Sequence, residues 1–228
     1  MMRILTVKNT DELSSQTEGL FRELLQAKGR PLRGFLPAGK SAEGFYQCLV
    51  ADKARWQGQV QFLQIDEFKS DKSKNDGEFF LKTLKQQILN PLSLMSMAEV
   101  IDSQWTEGQF QKHIQTVLRR PIDFALLGLG PNGHIGFHEP GVHGSEYLGG
   151  LVELSEESYR RVKGAPSRLA LTFGAGSFLK AEHLILLVTG DGKKEIFQKF
   201  LASEPTSQLP ASLLKAHPHF TVISSISV

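Results

Sequence analysis

Leu126–Gly141 reads LLGLGPNGHIGFHEPG, an apolar run that passes without a break into a loop carrying Gly128, Gly130, Gly133, Gly136 and Gly141. The apolar half fits a strand covered on both faces, and such strands belong to parallel sheets flanked by helices. Asn132, His134, His138 and Glu139 follow directly, on backbone that glycine leaves free to approach a ligand. Open α/β sheets bind ligands at the carboxyl ends of their strands, so this loop is the first candidate for an active site.

Working outward, apolar runs predict strands at 3–7, 34–37, 60–65, 124–128, 183–189 and 221–224. Helical patterning lies between them at 11–28, 41–55, 77–89, 106–119 and 193–202, with Thr10, Ser41 and Asp76 as N-cap candidates. Leu13, Leu20 and Leu24 share one face of the first helix. The alternation predicts an α/β fold with a mainly parallel sheet and helices on both faces. No linker or repeat divides the 228 residues, so a single domain over 1–228 is expected.

A net charge of +2, with Lys and Arg scattered along the chain, argues against nucleic acid as a partner. Cys48 is the only cysteine, which rules out an internal disulfide and suits a reducing compartment. The opening MMRILTV is too short for a signal h-region, and no apolar stretch approaches the ~18 residues of a membrane span. A cytoplasmic location, with no membrane partner, is therefore expected.

Four segments at predicted strand ends carry chemistry. In Leu36–Gly44, LPAGKSAEG, a glycine-bearing loop enters a helix, so Gly39, Lys40 and Ser41 can cradle a phosphate or simply cap the helix. Gly34–Ser41 also fits the Gly-x4-Gly-Lys-Ser spacing of a nucleotide P-loop, but the apolar residues fall inside the loop and no acidic strand for magnesium follows. In Ile65–Phe68, IDEF, Asp66 and Glu67 should face opposite ways on extended chain, one toward the crevice and one toward a structural partner. A carboxyl withdrawn from water there could act as a base on carbon.

The third segment is the central loop, which resembles two other sites superficially. Gly128, Gly130 and Gly133 spell a dinucleotide fingerprint, with Glu153 falling 20 residues after Gly133, but Pro140 and Gly141 would stop the long helix that fingerprint needs. His134 and His138 have the i, i+4 spacing of zinc ligands, yet Ile-Gly-Phe before a proline is poor helix sequence, so no metal is expected. On a loop, Glu139 can instead orient His134 as a base. The fourth segment, Thr189–Lys194, TGDGKK, starts a helix with Lys193, which favours an anion beside it. Arg160, Arg161 and Arg168 are further candidates for a phosphate clamp, and periodicity does not choose among them.

Taken together, LPAGKS, IDEF, LLGLGPNGHIGFHEPG, ALTFGAG, LVTGDGKK and LLKAHPHFTVI resemble the glucosamine-6-phosphate deaminase and 6-phosphogluconolactonase superfamily over nearly the whole chain. Deaminases typically read NGHIAFNEPG or NGHIGFNEPG at the central loop and lactonases DGHTASLFPG, so Ile135, Phe137, Glu139 and Pro140 lie on the deaminase side. The resemblance implies a Rossmann-like three-layer sandwich and an aldose–ketose isomerisation with loss of ammonia, giving fructose 6-phosphate without a cofactor. It implies Asp66 as the base between C2 and C1, and His134 as the ring-opening base supported by Asn132 and Glu139. Gly39, Lys40, Ser41 and Lys193 would hold the phosphate, with Arg161, or its neighbour Arg160, as the arginine. The expected partner is a small sugar phosphate, and the expected state a monomer or small homo-oligomer.

Two other readings stay open at this point. A 6-phosphogluconolactonase would use His134 to activate water, and Pro166–Thr172, PSRLALT, is similar to a lactonase strand. A sugar-phosphate sensor would bind without turnover.

Overall fold

The computed structural model describes residues 2–70, 78–190 and 192–227. The elements, in chain order, are β1 (Arg3–Thr6), α1 (Thr10–Lys28), β2 (Leu32–Leu36), α2 (Glu43–Ala51), α3 (Lys53–Trp56), β3 (Val60–Gln64), β4 (Asp66–Phe68) and α4 (Phe79–Leu84). They continue with α5 (Glu107–Leu118), β5 (Ile122–Gly128), β6 (Gly149–Glu153), α6 (Glu156–Arg161), β7 (Leu169–Phe173), α7 (Ala175–Phe178), β8 (Ala181–Val188), α8 (Lys194–Ala202) and β9 (Phe220–Ser224).

Six strands form one sheet in the order β1-β9-β8-β5-β2-β3, and every neighbouring pair is parallel. Alternation along the central strands builds the layers. Phe124 and Leu126 of β5 enter one apolar cluster with Leu13, Phe21 and Leu24 of α1 and Phe45 and Leu49 of α2. Ala125 and Leu127 enter the other, with Phe110 and Ile114 of α5 and Phe197 and Phe200 of α8. Side chains that point alternately up and down can do this only where both faces are covered, which is why these strands read as unbroken apolar runs. Each buried Leu or Phe contributes about 1.5–3 kcal/mol, so the two clusters hold helix, sheet and helix together. This is the α/β fold with a mainly parallel sheet that the element order predicts.

A second sheet, β4-β7-β6, is antiparallel, with Asp66 opposite Thr172 and Gly150 opposite Thr172 on the other side. It grows out of the first: β3 ends at Gln64, and the chain steps across Ile65, whose carbonyl accepts the Phe173 N–H at 2.9 Å, before continuing as β4.

Local details depart from the sequence-based expectation where side chains compete. Asn9, and not Thr10, caps α1, because its side chain accepts the Glu12 N–H at 2.9 Å. The helix expected over 41–55 splits into a 3-10 turn at Lys40–Ala42 followed by α2 and α3, and Ser41 makes no side-chain cap. The helix expected over 77–89 continues past α4 as a π-turn over Lys85–Leu89, while its cap candidate Asp76 lies outside the described residues. Among the described residues no helix is long and apolar enough to cross a membrane.

Candidate active site

β2 and β5 are neighbours at the centre of the large sheet, and the chain leaves β2 outward to β3 but leaves β5 in the other direction, to β8 and β9. Their carboxyl ends therefore diverge and open a crevice, the usual ligand position in such sheets. The loop after β2 brings Ser41 against the end of β5, its Oγ 2.5 Å from where a Cβ on Gly128 would lie. Ser41 thus faces the start of the central loop, while its neighbours Gly39 and Lys40 are exposed.

That loop is folded on itself. The Gly130 N–H donates to the His134 carbonyl (2.9 Å), the Gly133 N–H to the Gly130 carbonyl (3.0 Å), and Gly136 takes a φ of 58° that L side chains resist. The His134 ring lies over Gly130 so closely that a Cβ there would overlap it.

A chain of polar contacts then fixes the imidazole. Asn132 Nδ2 donates to Glu139 Oε2 at 3.1 Å. Because an ionised carboxylate only accepts, the Asn132 carbonyl must face His134, where it receives both the backbone N–H (3.2 Å) and Nδ1–H (2.7 Å). Nδ1 therefore carries the ring proton, and Nε2 keeps its lone pair. Glu139 Oε1 is buried, accepts no hydrogen bond from the described residues and lies 3.6 Å from Nδ1. Burial holds His134 below the ordinary histidine value; Glu139 opposes that shift, and the charges of Lys193 and Arg161 add to it. The ring is a neutral base with a carboxylate ready to balance its protonated form.

Asp66 and Glu67 part as strand alternation requires. Glu67 is fully buried and accepts the backbone N–H groups of Phe68 (2.9 Å), Phe80 (3.0 Å) and Leu81 (2.8 Å), which ties β4 to the start of α4. Asp66 turns the other way. Its Oδ2 comes within 3.6 Å of where a Cβ on Gly136 would lie, on the same loop as His134. It is 9% exposed, and none of the described residues donates a hydrogen bond to its carboxyl. Burial, with the charge of Glu67 adding to it, pushes Asp66 up to about 8.

The cationic candidates separate. Lys193 occupies the N-cap position of α8 without a side-chain cap bond, and burial alone pulls its ammonium below the ordinary lysine value; no carboxylate among the described residues pairs with it. Arg161, at the end of α6, is held by Glu157 at 2.7 Å, yet its charge reaches His134. Arg160 pairs with Glu156 at 2.8 Å on the surface, and Arg168 is used structurally, its Nη2 donating to the Leu154 carbonyl at 2.8 Å. Lys40 is exposed. Asp191, in the loop before Lys193, lies outside the described residues.

His138 stands apart from His134. Its Nδ1 accepts the Ala175 N–H (3.2 Å) and its Nε2–H donates to the His143 carbonyl (3.1 Å), so both nitrogens are spent holding the loop. Among the described residues no group of His, Cys, Asp and Glu is arranged to hold a metal ion.

The profile of the family described as glucosamine-6-phosphate isomerases/6-phosphogluconolactonase matches residues 8–223. The chain belongs to that family. Within the isomerase/lactonase family, the glucosamine-6-phosphate deaminase of Bacillus cytotoxicus is 29% identical over 237 positions, spanning 98% of this chain and 86% of the relative. The enzyme of the same name from Shouchella clausii is 30% identical, spanning 98% and 94%. Among solved structures, a monomeric glucosamine-6-phosphate deaminase superposes with a TM-score of 0.86 at 24% identity, covering 98% of this chain and 97% of the other. The 6-phosphogluconolactonase of Leishmania guyanensis superposes at 0.77 with 18% identity, covering 98% and 96%. These superpositions establish the Rossmann-like three-layer fold of the isomerase/lactonase family.

Two residues of the site are not among the sequence-based candidates. Thr172 is fully buried in β7, and its Oγ1 accepts the Phe137 N–H (3.0 Å) while donating to the Phe173 carbonyl (2.9 Å), pinning the central loop to the small sheet. Ser155 caps α6 and also donates to Glu139 Oε2 at 3.3 Å. A capping signature, Ser155 ahead of Glu156 and Glu157, was present in the sequence, but its contact with Glu139 depends on the fold.

Proposed function

We propose that the chain, acting as one domain over 1–228, converts glucosamine 6-phosphate to fructose 6-phosphate and ammonia. The observation that carries this reading is a pair of bases that meet at one loop, both withdrawn from water: His134 of the central loop, kept neutral, and Asp66 of β4, whose Oδ2 reaches Gly136 of that loop and whose carboxyl rises to about 8. The phosphate rests on the Gly39–Ser41 turn, Lys193 and Arg161, which leaves the sugar ring over the central loop. His134 Nε2 takes the proton of the C1 hydroxyl and returns one to the ring oxygen, opening the sugar. C2–H, now next to an aldehyde, is acidic enough for Asp66 to remove. Returning that proton to C1 turns the enolamine into an imine at C2, which water hydrolyses to the ketone and ammonia. Asn132 and Glu139 hold the imidazole and balance its charge during the first step.

The environment of Asp66 supports an amino sugar as substrate. A buried carboxyl that is protonated when the site is empty regains its charge beside a cation, and the C2 ammonium supplies one. The lactonase reading is favoured by the similarity to 6-phosphogluconolactonase structures and needs only His134. The test is to incubate the protein separately with glucosamine 6-phosphate and 6-phosphogluconolactone and measure ammonia, fructose 6-phosphate and acid released, for the wild type and Asp66→Asn. Turnover of the amino sugar that Asp66→Asn abolishes supports the proposal. Turnover of the lactone alone, surviving in Asp66→Asn, would replace it, and binding of both without turnover would make the chain a sensor.

A further inference from the structure

Glu139 can serve His134 only if its carboxylate is turned so that Oε1 faces the ring. Two donors fix that rotation, both on Oε2: Asn132 Nδ2 at 3.1 Å and Ser155 Oγ at 3.3 Å. Asn132 comes from the same loop as Glu139. Ser155 does not; it arrives from the far end of β6, where α6 begins, and its hydroxyl performs a second task there by accepting the Ser158 N–H at 3.2 Å. A hydroxyl has one proton and two lone pairs, so the two bonds coexist. The residue before it is clamped: the Leu154 N–H donates to the Arg168 carbonyl (2.9 Å), and the Leu154 carbonyl accepts from Arg168 Nε (3.1 Å) and Nη2 (2.8 Å). Ser155 is thus delivered to Glu139 by a fixed corner, and the helix it starts ends in Arg161.

We propose that Ser155 is a positioning residue that aims Glu139 at His134 and mechanically joins this carboxylate to the helix bearing Arg161. This deepens the deaminase reading and rests on it for the kinetic part of the test. One hydroxyl then links the two ends of the substrate: a shift of α6 as Arg161 engages the phosphate moves Ser155, and with it the carboxylate that balances the ring-opening base. The charged groups acting on His134 are Glu139, Lys193 and Arg161, and Ser155 touches the first and carries the last on its helix.

The test compares Ser155→Ala, Ser155→Thr and Arg161→Ala. In Ser155→Ala, kcat/KM for glucosamine 6-phosphate should fall about tenfold, the equivalent of ~1.4 kcal/mol, through a lower kcat as well as a higher KM; Ser155→Thr, which keeps the hydroxyl, should restore most of it. The double variant Ser155→Ala/Arg161→Ala should lose at least threefold less than the product of the single losses. Titration of the His134 ring by NMR gives a readout that needs no turnover: its midpoint should move to lower pH in Ser155→Ala, since the group that raises it is no longer aimed, and return in Ser155→Thr. If the His134 titration is unchanged in Ser155→Ala, or if Thr fails to restore it, Ser155 is only a helix cap and the proposal is overturned. If the titration shifts but the wild type does not deaminate glucosamine 6-phosphate, the positioning role stands and the assigned reaction fails.

Discussion

Burial of a carboxyl at position 66 makes the protein's stability depend on pH in a direction that can be worked out. In the folded chain Asp66 holds its proton up to about 8, whereas the unfolded chain releases it near the ordinary carboxylate value of 3.8. Between those values the folded state binds more protons, so this residue contributes a loss of stability that grows as pH rises through the window and is complete above 8. Asp66→Asn should therefore be more stable than the wild type at pH 8, by on the order of 2–5 kcal/mol, with the difference vanishing near pH 4 in thermal melts. The same substitution should cut kcat by ~10²–10⁴ if the carboxyl is the base on carbon. The pH dependence adds a second check: kcat/KM should rise toward pH 8 as Asp66 ionises in the empty site, while the limb of kcat, set by the substrate complex, should lie at lower pH because the ammonium of the substrate favours the charged carboxylate. Asn132, His134 and Glu139 were legible from the sequence because one short loop carries all of them. Ser155 was not, because it reaches Glu139 across a β-strand and a turn; Arg161 was put forward by resemblance alone, and what sets it apart from Arg160 and Arg168 here is that its charge acts on His134.

The loop after β2 and the start of α8 are the two elements proposed to hold the phosphate, and Lys193 makes that proposal testable. Its ammonium is withdrawn from water without a carboxylate partner among the described residues, so the empty protein carries a charge it would rather lose. The sign follows: its folded value lies below 10.5, so the wild type gains stability as pH rises from that folded value to 10.5, and Lys193→Gln should melt higher than the wild type at neutral pH without ligand. Inorganic phosphate should reverse the ranking. At a hundred times its dissociation constant an anion adds about 2.7 kcal/mol to the wild type, and a thermal-shift titration should find most of that gain missing in Lys193→Gln and reduced in Ser41→Ala. If phosphate stabilises all three proteins equally, the anion binds elsewhere. The parallel strands of the large sheet announced themselves as continuous apolar runs, but β4, β6 and β7 did not. β4 is three residues long and continues the apolar run of β3, and β6 opens with Gly149 and Gly150, so these two lacked the length or composition that marks a strand, whereas β7, LALTF, has both and was visible only through the likeness of PSRLALT to a lactonase strand.

Across the whole molecule the charges are divided between the two ends of the large sheet. At the amino ends of the strands Asp123 is almost fully buried, and its carboxylate accepts both Arg30 guanidinium nitrogens (2.8 Å each) and the Arg33 N–H (2.8 Å); Arg33 itself is buried against Glu99 at 2.8 Å. Arg30 and the Arg33 N–H hold Asp123 below the ordinary carboxylate value against the effect of burial. The carboxyl ends instead keep Lys193 and Asp66 free of ion pairs with described residues, available to a substrate. Asp123→Ala should accordingly cost about 3–5 kcal/mol in denaturant unfolding, while leaving kcat/KM of the folded fraction within twofold, because the residue lies at the opposite end of β5. A large loss of turnover at unchanged stability would contradict this division of labour. β9 lies between β1 and β8, and among the described strands β1 has no other neighbour in the sheet. β1 can therefore take its place only once β9, some two hundred residues further along the chain, is available beside it, and any truncated product ending before Phe220 would leave β1 without a strand to dock on.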